Sequence, residues 1–125
     1  DGVPRHLPAL LQAEKMQKKA AKVGFDWPDV APVIDKLDEE VAELKAAIAG
    51  RNPEAIAAEA GDLLFTIVSL SRFCDFNGEE ALRQTIAKFR DRFTFIEAAA
   101  AQQDRQLEDM TLAELDALWD QAKER

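Results

Sequence analysis

Four carboxylates are spaced so that they can meet between two helices. The segment "EEVAE" contains Glu40 and Glu43, and the segment "EAGD" contains Glu59 and Asp62, each pair one helical turn apart. The connection from Ala49 to Pro53 is short, which predicts an antiparallel hairpin with both pairs at similar depth. Carboxylates gathered in a partly buried space repel one another unless a cation joins them. Hard divalent cations prefer oxygen ligands, so the spacing predicts a site for Mg²⁺, or for Mn²⁺ as a substitute.

The residues around Asp62 bear on this prediction. Asp62 is followed by "LLFTIVSL", which leaves no obvious solvent-facing side for it. Gly61 weakens a helix by about 1 kcal/mol relative to Ala, so we expect a neighbouring helix or a ligand to come close there. The alternative is a solvated face, on which Glu39 and Glu43 form ordinary surface pairs. A ferritin-like di-iron bundle needs Glu-x-x-His pairs and is disfavoured, because His6 is the only histidine.

Five helices account for the apolar periodicity, and no strand pattern occurs. The first helix is predicted from Pro8 to Gly24, and the second ends at Gly50. The third is predicted from Pro53 to about Phe76 and the fourth from Glu79 to about Gln103. The fifth begins at a capping box over Thr111–Glu114. Asn52 and Pro53 provide the N-terminal signal of the third helix. We therefore expect an all-α protein, a helical bundle of four to five helices in a single domain over 1–125, with residues 1–7 as a loose lead-in.

The composition excludes several classes of function. Sixteen basic against 24 acidic residues give a net charge of -8, which argues against binding long nucleic acids through their phosphates. A small polyphosphate remains compatible when divalent cations bridge it to the protein. The lone Cys74 excludes an intrachain disulfide and a Cys-based zinc site, and it fits a reducing cytoplasmic location. The longest apolar run, "LLFTIVSL", is far shorter than the roughly 20 residues that span a bilayer.

The doubled acidic motif, E-E-x-x-E followed by E-x-x-D, resembles that of a known family. Together with "VGFDW" before it and "KFRDRF" after it, the motif is similar to the MazG family of nucleoside triphosphate pyrophosphohydrolases, within the all-α NTP pyrophosphatase superfamily. The likeness covers roughly Leu7 to Lys123. The segment "GFDW" looks more like the carboxy-terminal of the two tandem copies in longer members. Because the chain also opens at Asp1 rather than Met, we expect it to be a fragment of a longer protein.

The resemblance implies Mg²⁺-dependent hydrolysis of (deoxy)nucleoside triphosphates to monophosphate and pyrophosphate, in a homodimer or higher homo-oligomer that cleans or regulates nucleotide pools. The metal-binding positions of the family match Glu40, Glu43, Glu59 and Asp62. Lys88 and Arg92 of "KFRDRF" match basic positions that contact phosphates. One departure is Ile86, which stands where the family often has Asn, so any contact made by that Asn is lost or supplied elsewhere.

The resemblance also directs attention to proton transfer and to the leaving group. Glu43 is the preferred acceptor of the proton of the attacking water, with Glu39 as its rival. Lys88 and Arg92 are four residues apart, on one helical face, where they can stabilise the leaving pyrophosphate. The alternative is a surface pair with acids nearby, such as Asp91.

Residues near the amino terminus are candidates for substrate contact. A solvated face is the simpler explanation of the basic stripe on the first helix, although Lys15 or Lys18 could meet phosphates. Gln17 could hydrogen-bond a base edge. Trp27 could either stack on a nucleobase or cap the bundle, and Phe25 is expected to pack.

A rival function is a non-catalytic helical dimerisation or nucleotide-binding regulatory module. A degenerate copy would be expected to lose one of the acids at Glu40, Glu43, Glu59 or Asp62, and none is lost. Ile86 is the feature that points the other way.

Overall fold

The computed structural model describes residues Asp1–Arg125 as two compact units, Asp1–Ala81 and Leu82–Arg125. The chain contains no strand, and its elements are α1 (Ala9–Lys22), α2 (Val30–Gly50), α3 (Pro53–Phe73), α4 (Gly78–Gln102), a 3-10 turn (Leu107–Asp109) and α5 (Leu112–Lys123). The all-α prediction is confirmed, and every predicted helix is present. The third helix ends at Phe73 rather than near Phe76, and Asp75 then adopts a left-handed backbone with φ 57°.

Side-chain caps mark the starts of α3 and α5, as the sequence predicts. The Asn52 side chain accepts hydrogen bonds from the backbone N–H groups of Glu54 and Ala55 at the start of α3. Thr111 and Glu114 form a reciprocal capping box at the start of α5. These caps satisfy N–H groups that have no partner within the helix, which is why the sequence signals locate both starts correctly.

In the first unit, α2 and α3 form an antiparallel hairpin and contact each other more extensively than any other pair of helices. Only Arg51 and Asn52 connect them, with Arg51 in the left-handed region at φ 58° and its N–H donating to the Ile48 carbonyl. Val33 on α2 and Val68 on α3 are at most 1% exposed. Because α1 also packs on α3, the third helix is the scaffold of this unit.

The second unit has its own small group of buried apolar residues, Ile96 and Ala100 on α4 and Leu118 and Ala122 on α5. The Phe89 ring lies 5.5 Å from the Trp119 ring, centroid to centroid. The Arg105 guanidinium forms an ion pair with Glu114, the acid of the α5 capping box. The same ion pair therefore supports the cap at the start of α5.

Several large apolar side chains of α3 and α4 are exposed. Leu64, Phe65 and Ile67 on α3 and a row on α4 are 38–57% exposed, the row consisting of Leu82, Ile86, Phe89 and Phe93. The spacing thus indicates the apolar face of each helix without specifying what packs against it. None of the helices combines the length and the apolar character needed to cross a membrane.

Candidate metal centre and adjoining pocket

Three of the four predicted carboxylates come together between α2 and α3. One carboxylate oxygen from each of Glu40, Glu43 and Glu59 lies within 4.8 Å of the other two. Glu40 and Glu43 share a face because they are one turn apart on α2, and the tight hairpin brings Glu59 of α3 beside them. A group of three carboxylate oxygens at these separations is a set of ligands suited to a hard divalent cation.

The buried oxygens of this cluster fit a cation. Glu40 is only 3% exposed, and its Oε2 atom is buried without a hydrogen-bond partner. The Oε2 atom of Glu59 is buried and unpartnered in the same way. A buried charged acceptor without a partner is costly, since it has lost its water and gained nothing in exchange. Both atoms therefore have unused capacity to coordinate a metal ion.

The electrostatics of the cluster agree with this. The pKa of the Glu43 carboxyl is raised to about 6, first by desolvation and then by the negative charge of Glu40 and a hydrogen bond with Glu59. The carboxylates thus repel one another when no cation is present, as the sequence spacing predicts. A divalent cation would reverse this effect by favouring the ionised form.

Asp62 and Gly61 differ from expectation. The Asp62 side chain is exposed and lies outside the three-carboxylate group, while its backbone carbonyl accepts a hydrogen bond from the Thr66 hydroxyl at 2.9 Å. The expectation that α3 offers Asp62 no solvent-facing side is therefore wrong. A Cβ added at Gly61 would meet no atom within 4 Å, so no neighbouring helix of this chain approaches there. Close approach of a ligand at Gly61 stays a prediction.

Lys36 is a member of the site that the motifs in the sequence do not indicate. Its Nζ atom lies 3.1 Å from Oε1 of Glu40 and 3.4 Å from Oε1 of Glu39. The hydrogen bond to Glu40 is the main reason that the pKa of Lys36 is raised above its ordinary value. Glu39 itself is exposed and stays outside the three-carboxylate group. The spacing of Lys36 and Glu40, four residues apart on one helix, is the signal that could have revealed the pair.

A cavity of about 540 Å³ adjoins the cluster, between α1, α2, α3 and the loop that follows α1. Lys36 lines this cavity while also contacting Glu40, so the cavity borders the carboxylates. Its walls are mainly apolar, with Met16, Trp27 and Phe65 among them. A largely apolar cavity of this size with a few polar groups is typical of small-molecule sites.

Gln17 and Trp27, both predicted to contact substrate, line this cavity. Gln17 is buried, and its amide is hydrogen-bonded to Phe65, Ser69 and Arg72. Trp27 is 38% exposed, as expected for a ring that forms one wall of an open pocket. Phe25 also lines the cavity and is 82% exposed, so the packing expected of it is not observed.

The other predicted site residues are basic. On α1, Lys15 is exposed and Lys18 forms an ion pair with Glu14 at 3.3 Å. Lys88 and Arg92 belong to the second unit, where Lys88 is exposed and the Arg92 guanidinium lies over the Trp119 ring, 5.3 Å from its centroid.

Asp91, a predicted surface partner of those two basic residues, instead pairs with Arg125, at 2.8 Å.

Comparison with known proteins identifies the family. Residues 29–94 match the MazG nucleotide pyrophosphohydrolase domain, which is more than half of the chain. The chain belongs to the MazG family. This assignment confirms the resemblance based on the doubled acidic motif.

Three relatives place this MazG chain among longer proteins. It is 42% identical to the nucleoside triphosphate pyrophosphohydrolase/pyrophosphatase MazG of Thermotoga maritima, over 94% of this chain and 45% of that protein. It is 38% identical to the nucleoside triphosphate pyrophosphohydrolase of Escherichia coli K12, over 98% of this chain and 48% of the relative. It is 47% identical to the uncharacterized protein YabN of Bacillus subtilis, over 99% of this chain and 26% of that protein. The chain thus spans about half the length of the first two relatives.

The MazG match covers only part of the candidate site. Glu40, Glu43 and Glu59 lie within residues 29–94, whereas Gln17 and Trp27 precede them. The carboxylate cluster therefore falls inside the matched MazG segment, and one wall of the cavity falls outside it.

Proposed function

We propose that this MazG chain hydrolyses (deoxy)nucleoside triphosphates to nucleoside monophosphate and pyrophosphate with Mg²⁺, or Mn²⁺ as a substitute, and so cleans or regulates nucleotide pools. The observation that carries the proposal is the carboxylate cluster of Glu40, Glu43 and Glu59, with its two buried unpartnered oxygens, beside a cavity of about 540 Å³. The names of the Thermotoga maritima and Escherichia coli relatives support the same activity.

Glu40, Glu43 and Glu59 would hold the metal ion, and Asp62, one turn beyond Glu59, is proposed as a further ligand through rotation of its exposed side chain. When bound, Mg²⁺ would neutralise phosphate oxygens and make phosphorus more susceptible to attack by water. We propose that Glu43 accepts the proton of that water, because it is the most exposed member of the cluster. Glu39, exposed on the same helix, is the alternative.

The adjoining cavity is proposed to hold the nucleoside. Trp27 and Phe65 offer apolar faces to a base, and Gln17 offers a polar edge. Lys36 lines the cavity and contacts Glu40, so it would lie beside the phosphates of a nucleotide whose base occupies the cavity. Further phosphate contacts are proposed for Lys15 and Lys18 on α1. Phosphate contacts are also proposed for Lys88 and Arg92 on α4, and these rest on the family resemblance.

A second copy of this chain is the proposed protein partner. Leu64 and Ile67, three residues apart on α3, are 54% and 38% exposed, which fits a face that another helix covers. Light scattering is expected to give a dimer or a higher homo-oligomer, and Leu64→Glu to reduce its mass to that of a monomer. A monomeric wild type would contradict this part of the proposal. A cytoplasmic location stays a prediction.

The activity is tested by measuring pyrophosphate released from a panel of nucleoside triphosphates with Mg²⁺. Glu40→Gln should lower the rate roughly 100-fold or more, because even outer-sphere partners of metal ligands are worth about 10–100-fold. Asp38→Asn, which alters an exposed acid of the same helix, is the matched control and should behave as wild type. Equal rates for Glu40→Gln and wild type would contradict the proposal.

The alternative is a nucleotide-binding or dimerisation module without turnover. It is favoured by the position of Asp62 outside the carboxylate group and by Ile86 at a position where the family often has Asn. Under this alternative the wild type would bind nucleotide or self-associate and release no pyrophosphate above a blank.

A further inference from the structure

Arg72 lines the cavity, and its guanidinium is held by hydrogen bonds to two other residues that line it. Nη1 and Nη2 donate to the two carboxylate oxygens of Asp26, at 3.0 and 2.8 Å, in a bidentate pair. Nε donates to Oε1 of Gln17 at 2.9 Å. All three nitrogens of Arg72 thus have protein acceptors, and its side chain is only 11% exposed. A cation held in this way serves to fix its neighbours.

The first of these neighbours is Gln17. Its Nε2 donates to the Phe65 carbonyl at 2.9 Å, and its Oε1 accepts from the Ser69 hydroxyl at 3.0 Å as well as from Arg72. The Arg72 N–H can only donate and the Phe65 carbonyl can only accept, so a flipped amide would oppose donor to donor and acceptor to acceptor. Arg72 and Phe65 therefore determine the amide orientation. Gln17 can offer a ligand an N–H, but its oxygen is already occupied.

The second neighbour is the loop between α1 and α2. Asp26 immediately precedes Trp27, which forms a wall of the cavity, and the adjacent Phe25 is 82% exposed. The Phe25 ring therefore contributes little to holding the loop in place. The hydrogen bond from Arg72 lowers the pKa of the Asp26 carboxyl, as expected for a pair that persists in the folded state. The Arg72–Asp26 pair is the side-chain contact that attaches this loop to α3.

We propose that Arg72 is the positioning residue of the nucleoside pocket. By bridging Asp26 and Gln17, it sets the Trp27 wall and the Gln17 N–H in place before a ligand arrives, which reduces the ordering cost of binding. Arg72 lies ten residues beyond Asp62, about 15 Å along α3, so it acts on ligand affinity and does not reach the carboxylate cluster. The identity of the ligand rests on the proposed function. The positioning of Trp27 by Arg72 and Asp26 does not depend on that function.

The test uses Asp26→Asn, which keeps the shape but removes the charge, and Arg72→Lys, which keeps the charge but removes the bidentate contact. Arg51→Lys, in the exposed α2–α3 connection, is the matched control. We expect both pocket variants to raise the KM for nucleoside triphosphate roughly tenfold, equivalent to about 1.4 kcal/mol, with kcat within about twofold of wild type. The control should change neither constant.

A fluorescence measurement reports the solvent accessibility of Trp27 and does not require catalysis. In a Trp119→Phe background Trp27 is the only tryptophan. Asp26→Asn and Arg72→Lys should then increase quenching of Trp27 by acrylamide, and both should weaken binding of a nucleoside 5′-monophosphate. If Arg72→Lys does not fold, as judged by circular dichroism, Asp26→Asn gives the answer alone.

Unchanged Trp27 quenching together with an unchanged KM in Asp26→Asn would overturn the inference, as would a fall in kcat at constant KM. An inactive wild type would contradict the proposed function instead. In that event, the quenching and the monophosphate binding still decide whether Arg72 positions the wall.

Discussion

Lys36 and Glu40 form the ion pair that joins the carboxylate cluster to the adjoining cavity. The Lys36 ammonium lies 3.1 Å from one carboxylate oxygen of Glu40, and the other oxygen is buried without a partner. Glu40 is therefore only partly neutralised by its own chain, although it is 3% exposed and stands beside Glu43 and Glu59. A buried acid with one committed and one free oxygen can receive a metal ion without first losing its structural partner.

Replacing Lys36 by Met should destabilise the protein mainly when no metal is present. The change leaves the buried Glu40 carboxylate without its cation, so the urea midpoint should fall in chelator and recover partly in saturating Mg²⁺. Urea titrations with and without Mg²⁺ measure both effects. Lys45→Met, at an exposed position of the same helix, is the control. An equal loss under both conditions would show that Lys36 acts through packing alone.

Mg²⁺ should raise the melting temperature of the wild type, because it binds the folded cluster and not the unfolded chain. At a hundredfold excess over Kd this linkage is worth about 2.7 kcal/mol. Glu43→Gln should have a higher melting temperature than wild type in chelator, because one repelling charge is gone. Its melting temperature should rise less than that of wild type when Mg²⁺ is added. Calorimetry of both proteins, with Asp38→Asn as the control, measures these shifts. A wild-type melting temperature that does not change with Mg²⁺ or Mn²⁺ would count against the metal centre.

Gly61→Ala should stabilise the protein by about 0.5–1 kcal/mol, because Gly61 lies inside α3 and an added Cβ meets no atom within 4 Å. Ala57→Gly, at an exposed position of the same helix, should cost a similar amount. Urea unfolding measures both changes. If the substrate passes close to Gly61, the stabilised Gly61→Ala variant should also show a raised KM. Destabilisation by Gly61→Ala would mean that something packs at this position in solution.

The Arg105–Glu114 pair should make part of the stability depend on acid pH. The hydrogen bond from Arg105 is the main reason that the pKa of Glu114 is lowered from 4.5 to about 2. A lowered pKa in the folded state means that this contribution is fully present above about pH 4.5 and is lost as the pH falls towards 2. Glu114→Gln keeps an acceptor for the Thr111 cap, so its deficit relative to wild type should be largest near neutral pH and shrink below pH 4. Urea midpoints across this range measure the difference, and a constant deficit would refute the assignment.

Local signals in the sequence predicted the helices well. Asn52 with Pro53, and Thr111 with Glu114, mark helix starts through hydrogen bonds to residues two or three positions away. The meeting of Glu43 with Glu59 was predictable for a similar reason, since a tight connection sets the register of a hairpin.

The directions of other side chains depend on what packs beside them, and the sequence could not provide this. The apolar residues that follow Asp62 predict an inward side chain, yet this side chain is exposed, as are Phe65 and Ile67 on the same helix. The contacts of Arg72 with Asp26 and Gln17 span 46 and 55 residues, and no periodicity encodes such a pair.

One uninterrupted helix carries both ends of the proposed substrate site. Glu59 and Arg72 lie on α3, about 20 Å apart along its axis at 1.5 Å per residue. With no proline or break between them, α3 holds these two residues at a fixed separation. A ligand that contacts both the carboxylates and the pocket that Arg72 positions must match a fixed length, so shortening the phosphate chain should lose one of these two sets of contacts, whichever base the ligand carries.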